Sequence, residues 1–567
     1  MPSGAHPATI TKRQLPFLGW IRSYRRDWLL PDFMAGLALW AVMVPEGMAY
    51  AGIVGVPPIM GLYTIVPPLI GYALLGTSRL LVVGPDTATG LISALTVGAI
   101  AARGAAEYNG LTSTLAILIG ALFLLFGALR MGWVAAFIPT PVMRGFIEGL
   151  VCVTIIGQVP HLLGIAGTSG NFFTKLWFVV RHLQDVALAP AVSGLLSLAA
   201  MWLLRSLVPR IPAALVVAAL ATICVGLLGG EATGIQVIGD LPSGLPPLAL
   251  PQLDPATLWT LTPGALAIVL VGYAEALGAA KAATVQGGGD IEPNQELVAH
   301  GAANVLSGLF GGFLAVGSLS KTSVAIAAGA RSQLANLVAA IFCFLTLVLL
   351  TPLFRNMPHP ALGAIVIAAM LHLSKPDYLR VLYARSRSEF AVAAIVIAGE
   401  LTLGVLQGIG LGVMLALLML IYRASHPQGA VLGQLPGTEA YRDVTLHPDA
   451  LTFPGLLIWR AGGDLFFASI GHLDAELKTA LAASGPAVKH VLVDAGSVDF
   501  IDTSACDALL NAIAEFQRQG ITVAFARVRD QVREGMQLGG VEAAVGSTNF
   551  YERVTDGVRA WHQGRQG

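Results

Sequence analysis

The stretch VVGPDTATG (residues 82–90) interrupts a long apolar tract with a glycine, a proline and an acid, then returns to helix-forming residues. It reappears in altered form as AVGSLSKTS (residues 315–323). Each copy joins a Val-Gly dipeptide to a turn signal and small hydroxyl residues. Non-helical backbone inside a bilayer persists only where protein buries it or where it lines a cavity. If both stretches lie at membrane depth, they predict two half-helices whose free N–H groups and positive dipole ends face a common site suited to an anion.

Composition places them at that depth. Of 567 residues, 55% are hydrophobic and 12% charged, and mean hydropathy is +0.73; soluble chains carry about 25% charged residues. The formal net charge is zero, which gives nucleic acid no basic surface to bind. The four cysteines are scattered without metal-binding spacing, so neither a metal nor another cofactor is expected. The N-terminus lacks a continuous apolar h-region, so the first apolar segment reads as the first membrane helix.

Charge density divides the chain. Residues 428–567 hold 27 charged side chains, against 39 in residues 1–427. The expected organisation is a cytoplasmic N-terminal segment (1–30), a transmembrane domain (31–425) and a cytoplasmic linker with a small α/β domain (426–567). Fourteen apolar spans, from 33–51 to 405–422, fall into two sets of seven. Several are too short to cross a bilayer alone, and matching short segments in two halves point to inverted repeats. Lys and Arg before the first span and Arg423 after the last put both termini in the cytoplasm.

Two acids sit inside otherwise greasy first helices of the halves. They are Glu46, in MVPEGMAY (43–50), and Glu275, in LVGYAEALGAAK (270–281). A charge at mid-membrane costs about 2.5–3.5 kcal/mol on insertion scales, so each is a functional candidate. Tyr50 lies one turn beyond Glu46 on the same face. Thr87 and Ser320 offer hydroxyls, and Lys321 offers either a full positive charge at the second half-helix or a side chain that snorkels to the interface. Asp86 reads as the N-cap of the third span. In the tail, Asp502-Thr503-Ser504 opens an amphipathic helix as a plain cap or an anion contact.

At this point the sequence resembles a known family. VPEGMAYAGIVGVPPIMGLYTIVPPLIGYALLGTSRLLVVGP (44–85) and DIEPNQELVAHGAANVLSGLFGGFLAVGSLSKTSVAIAAGARSQLA (290–335) are similar to the two signature blocks of the sulfate permease (SulP) anion transporters, kin of solute carrier family 26. The tail resembles that family's STAS domain, and Ser504 matches the phosphorylated position of the domain's Asp-Ser-Ser motif. The resemblance implies fourteen segments in two inverted seven-segment repeats, with a UraA-like core and gate, and an anion held between half-helices three and ten. It implies a site from Glu46, Tyr50, Thr87, Ala88, Leu319, Ser320 and Lys321, with coupling through Glu46 and Glu275. It also implies an elevator-type mechanism in the inner membrane, a homodimer, and a cytoplasmic partner for the tail through Asp502 and Ser504. Glu46 stands where many members carry Gln, and Lys321 where many carry Arg. The expected function is secondary active transport of sulfate, bicarbonate or a dicarboxylate, coupled to a proton; sodium coupling and an uncoupled channel are the alternatives. No nucleophile–base pair or nucleotide loop supports an enzyme.

Overall fold

The computed structural model describes residues 20–564, apart from 138, 169, 209–211, 230–233, 252–253 and 285–290. The first nineteen residues of the expected N-terminal segment therefore lie outside the described residues. The chain forms two compact units that part between Ala416 and Leu417.

The first unit is helical. Its first half runs through α1 (Leu29–Val54), α2 (Pro58–Tyr63), α3 (Val66–Leu75), a two-residue strand β1 (Val83–Gly84), α4 (Thr87–Gly98), α5 (Tyr108–Ala128), α6 (Thr140–Leu163), α7 (Phe172–Arg181), α8 (Leu188–Leu207) and α9 (Ala213–Leu227). The second half repeats the plan with α10 (Pro255–Thr284), α11 (Pro293–Leu309), β2 (Val316–Gly317), α12 (Leu319–Ala327), α13 (Leu334–Leu345), α14 (His359–Leu373), α15 (Pro376–Arg385), α16 (Arg387–Thr402) and α17 (Val405–Ser425). Among the described residues, seven helices are long and apolar enough to cross a bilayer alone. α4 and α12 are shorter because extended chain supplies the first part of their spans. The short helices α7 and α15, absent from the apolar-span reading, occupy matching places in the two halves.

Helix contacts sort the unit into two bundles. α1–α5 pack with α10–α13, and α6–α9 pack with α14–α16, joined chiefly where α1 meets α9 and α14. α17 joins the second bundle through Gly412, against Val142 and Val396. α1 itself corrects a simple reading of its sequence. Pro45 and Gly47 look like a break, yet the helix runs unbroken through both. The two glycines meet at a close approach: a Cβ on Gly61 of α2 would fall 2.0 Å from the Gly47 carbonyl oxygen, and one on Gly47 3.1 Å from the Gly61 carbonyl oxygen.

Extended backbone in an apolar interior must find partners, and buried side chains provide them. The chain before β1 is held by Glu296 of α11, whose Oε1 accepts from Thr77 N (2.8 Å) and Thr77 Oγ1 (2.6 Å) while its Oε2 accepts from Tyr72 (2.8 Å). Gln333 donates to the carbonyls of Ser78 and Leu81, and Asn336 also donates to Leu81. The chain before β2 is held by Asn304, which donates to Ala315 O at 2.8 Å and accepts from Ala315 N at 2.9 Å. Thr64 accepts from Phe313 N. Asp32 at the start of α1 accepts from Arg331 N, Ser332 N and Ser332 Oγ, which fixes the chain leaving α12.

The second unit is a six-stranded sheet in the order β4-β3-β5-β6-β7-β8. Its strands are β3 (Ala430–Gln434), β4 (Tyr441–Asp443), β5 (Leu456–Arg460), β6 (His490–Asp494), β7 (Thr522–Ala526) and β8 (Phe550–Tyr551). β5 to β8 are parallel, with Leu457, Val491 and Val523 in register; β3 pairs antiparallel with both β4 and β5. α18 (Ile470–Ser484) and α19 (Thr503–Arg518) cover one face, and α20 (Val554–Gly564) covers the other. Arg527 closes the sheet's end from a left-handed backbone position (φ 58°), donating through Nε and Nη2 to buried Asp494 at 2.7 and 2.6 Å. This bond holds the Arg527 guanidinium above its usual pKa.

Two stability outcomes are expected. Asn304→Ala leaves both polar groups of Ala315 unpaired and should cost about 2–4 kcal/mol, since each buried orphan costs ~1–3. The check is the thermal midpoint of purified protein. Asp494→Asn weakens the hold on Arg527, and hydrogen exchange in the intact chain should show faster exchange confined to β6 and β7.

Candidate functional site

β1 and β2 meet as an antiparallel pair, Val83 opposite Gly317 and Gly84 opposite Val316. Exchanging the two Val-Gly dipeptides leaves this register unchanged, so a local two-fold relation passes between them. The crossing is tight: a Cβ on Gly317 would lie 2.9 Å from the Leu81 side chain and 3.0 Å from Ala276 Cβ. The bond from Ser318 N to Val82 O extends the pairing.

From the crossing the chain enters α4 and α12, and the first N–H groups of each have no partner within the helix. The two starts differ. Asp86 caps α4, its Oδ2 accepting from Thr89 N and Thr89 Oγ1 at 3.1 Å each. Ser318 gives α12 no side-chain cap. Aligning the Val-Gly dipeptides also puts Ala88 of the first half at the place of Lys321 in the second.

Lys321 is buried and does not reach for an interface. Its Nζ donates to Pro85 O at 2.9 Å, lies 3.6 Å from Glu46 Oε2, and sits 5.1 Å from the centre of the Tyr50 ring. One ammonium thus ties α1, the first chain break and α12 together. Glu46 Oε2 has no hydrogen-bond partner among the described residues, so its link to Lys321 is a charge contact with room between the groups.

These groups surround a small cavity of about 50 Å³. Glu46, Tyr50, Thr87, Glu275, Leu319, Ser320 and Lys321 all line it, together with Asp86 and Ser318. Ala88, expected beside them, is the second residue of α4 and is buried, but is not among the residues that line the cavity. Among the described residues the Glu275 carboxyl makes neither a hydrogen bond nor an ion pair. The opposite wall comes from the second bundle, through Arg205 of α8 and Met370, His372 and Leu373 of α14. Arg205 and His372 were not picked out from the sequence. Arg205 stands alone in WLLRSL, near a helix end where a basic residue reads as a topology marker, and no local pattern links it to α14.

In the tail, Asp502 caps α19 through Ala505 N (2.7 Å) and also accepts from Phe467 N (2.9 Å). Ser504 is exposed on the first turn of that helix.

The chain is similar to known proteins over nearly its whole length. Residues 29–396 match the sulfate permease family and residues 447–557 match the STAS domain. A probable sulfate transporter of Mycobacterium tuberculosis is 33% identical over 96% of this chain and 97% of its own. Sulfate transporter 4.1, chloroplastic, of Arabidopsis thaliana is 30% identical over 96% of this chain and 82% of its own. Among solved structures, the murine solute carrier 26 family member A9 anion transporter superposes with a TM-score of 0.89 at 22% identity, covering 98% of this chain and 95% of that one. The transmembrane domain of a cyanobacterium bicarbonate transporter gives 0.61 at 23% identity, covering 69% and 98%. The two inverted repeats, the half-helices that start at their crossing and the trailing α/β sheet agree with that kinship, and this multi-pass chain belongs to the sulfate permease family of anion transporters, which are not enzymes.

Proposed function

We propose that this protein is a proton-coupled secondary transporter of a small oxyanion or dicarboxylate, with the anion held between the starts of α4 and α12. The observation that carries this reading is the contact of Lys321 with Glu46 beside the uncapped start of α12. With Glu46 ionised, its charge cancels that of Lys321, and Asp86 offsets the α4 dipole. A proton on Glu46 releases the Lys321 charge and the α12 N–H groups for an anion, so proton and anion favour each other's binding. Charge counting agrees. Glu46, Asp86 and Glu275 place three acids around the cavity against Lys321 and Arg205, so an anion entering with every acid ionised meets net negative charge.

Thr87, Ser320 and the start of α12 donate to the anion, Tyr50 and Leu319 shape its apolar side, and Glu275 takes part in coupling. Ala88 contributes backbone only. Residues 31–425 form the transport domain, whose half-helix bundle shifts against the second bundle as an elevator. Arginines flanking α1 and Arg423 support cytoplasmic termini in an inner membrane, and the family resemblance supports a homodimer. Asp502 and Ser504 are the tail's contact for a cytoplasmic partner.

The test is uptake of a radiolabelled sulfate, bicarbonate and succinate panel into proteoliposomes under imposed proton or sodium gradients. In wild type, an inward proton gradient should drive anion accumulation, and the half-saturating anion concentration should rise as protons are withdrawn. Glu46→Gln should flatten that dependence and abolish proton-driven accumulation. An unchanged proton dependence in the variant, or accumulation that follows sodium alone, overturns the reading. Lys321→Met should lower transport by about 100-fold or more. Lys321→Arg, which keeps the charge, should retain a measurable fraction.

A further inference from the structure

The cavity holds a second cation that forms no ion pair among the described residues, Arg205. Arg205 Nη1 donates to the carbonyl of Ala368 at 2.9 Å. Ala368 lies one turn before His372 on α14, and Arg205 and His372 both line the cavity. Among the described residues Arg205 has no ion pair, whereas Lys321 faces Glu46. A guanidinium carries five N–H donors, and the bond to Ala368 uses one. Arg205 and His372 are exposed while Glu46, Thr87 and Lys321 are buried, so the cavity deepens from the α8 and α14 ends toward the half-helix crossing.

The bundle assignment gives this position its consequence. Lys321 and the half-helices belong to the first bundle; Arg205 and His372 belong to the second. Relative movement of the bundles carries Lys321 with the anion and leaves Arg205 behind.

We propose that Arg205, docked on Ala368, is a second anion subsite at the cavity mouth that engages the substrate only while the cavity opens to this face. It rests on the transporter reading above and adds a sidedness to it. The anion is held by both bundles from this face and by the first bundle alone from the other. The planar fork of the guanidinium suits an oxyanion, which can accept two parallel N–H bonds, better than a monatomic halide.

The experiment compares right-side-out and inverted membrane vesicles, with radiolabelled sulfate as probe and bicarbonate and succinate in parallel. Arg205→Gln should raise the half-saturating concentration about tenfold at the face to which the cavity opens, and less than twofold at the other face. Arg205→Lys, which keeps charge but loses the fork, should give an intermediate rise. Chloride competition against the same probe should weaken less than oxyanion competition. Melting temperature and elution volume of both variants should match wild type, since Arg205 is exposed. An equal rise at both faces, or none at either, overturns the subsite while leaving the transporter reading intact. Failure of wild type to move any anion of the panel overturns that reading and the subsite with it.

Discussion

Two extended chain segments cross inside an apolar unit, and every polar group they expose must be answered by protein. A peptide group left unpaired in such surroundings costs several kcal/mol. The answer comes from an unusual concentration of buried polar side chains on α11 and α13, namely Glu296, Asn304, Gln333 and Asn336, all nearly inaccessible. Asn304 is the clearest case, since its amide imitates a neighbouring strand by donating to and accepting from one residue. The helices flanking the crossing thus serve as its missing sheet. Because the breaks are satisfied from behind, the helix starts in front of them remain free to serve a ligand.

The same economy governs charge. A lone ammonium or carboxylate in a low-dielectric interior pays a desolvation penalty of several kcal/mol, which a partner offsets only in part. Lys321 meets that penalty with a carbonyl, a carboxyl and an aromatic face. None of the three encloses it fully, and the 3.6 Å separation from Glu46 leaves the pair open to exchange for another anion. A tight bidentate pair, such as Arg527 with Asp494 in the tail, would resist that exchange. The contrast separates an ion pair that holds a fold from one arranged to be interrupted.

Much of this architecture was legible in the chain. The repeated Val-Gly breaks, the two intramembrane acids and Lys321 could be placed on one site because each violates the expected apolar pattern locally. The strands, helices and cap of the tail were readable because alternation and capping are also local signals. What escaped depends on contacts between distant segments. Pro45 looked like a break, but packing of Gly47 against Gly61 and tertiary burial keep α1 continuous. Ala88 was expected in the site by motif position, and a motif does not show which side chains line a cavity. Arg205 and His372 belong to helices 163 residues apart at their docking bond, with no shared periodicity. Glu400 of α16, buried with both carboxyl oxygens unpartnered among the described residues, gave no sequence signal either.

The repeat is symmetric in backbone and asymmetric in charge, and the second property gives the first its use. Two equal half-helix starts would create a site positive on both sides, holding an anion strongly at all times. Here one start is quenched by the Asp86 carboxyl and has Ala88 in its first turn; the other is uncapped and has Lys321 in its first turn. Glu46 lies against the positive side, where protonation has the greatest effect on the field an anion meets. A transporter must bind its cargo and also release it, and in the proposed reading a site whose attraction depends on one neighbouring carboxyl would serve both steps. The inverted fold supplies two equivalent orientations of the crossing, and the unequal residues at positions 86–88 and 319–321 make its two helix starts electrostatically different.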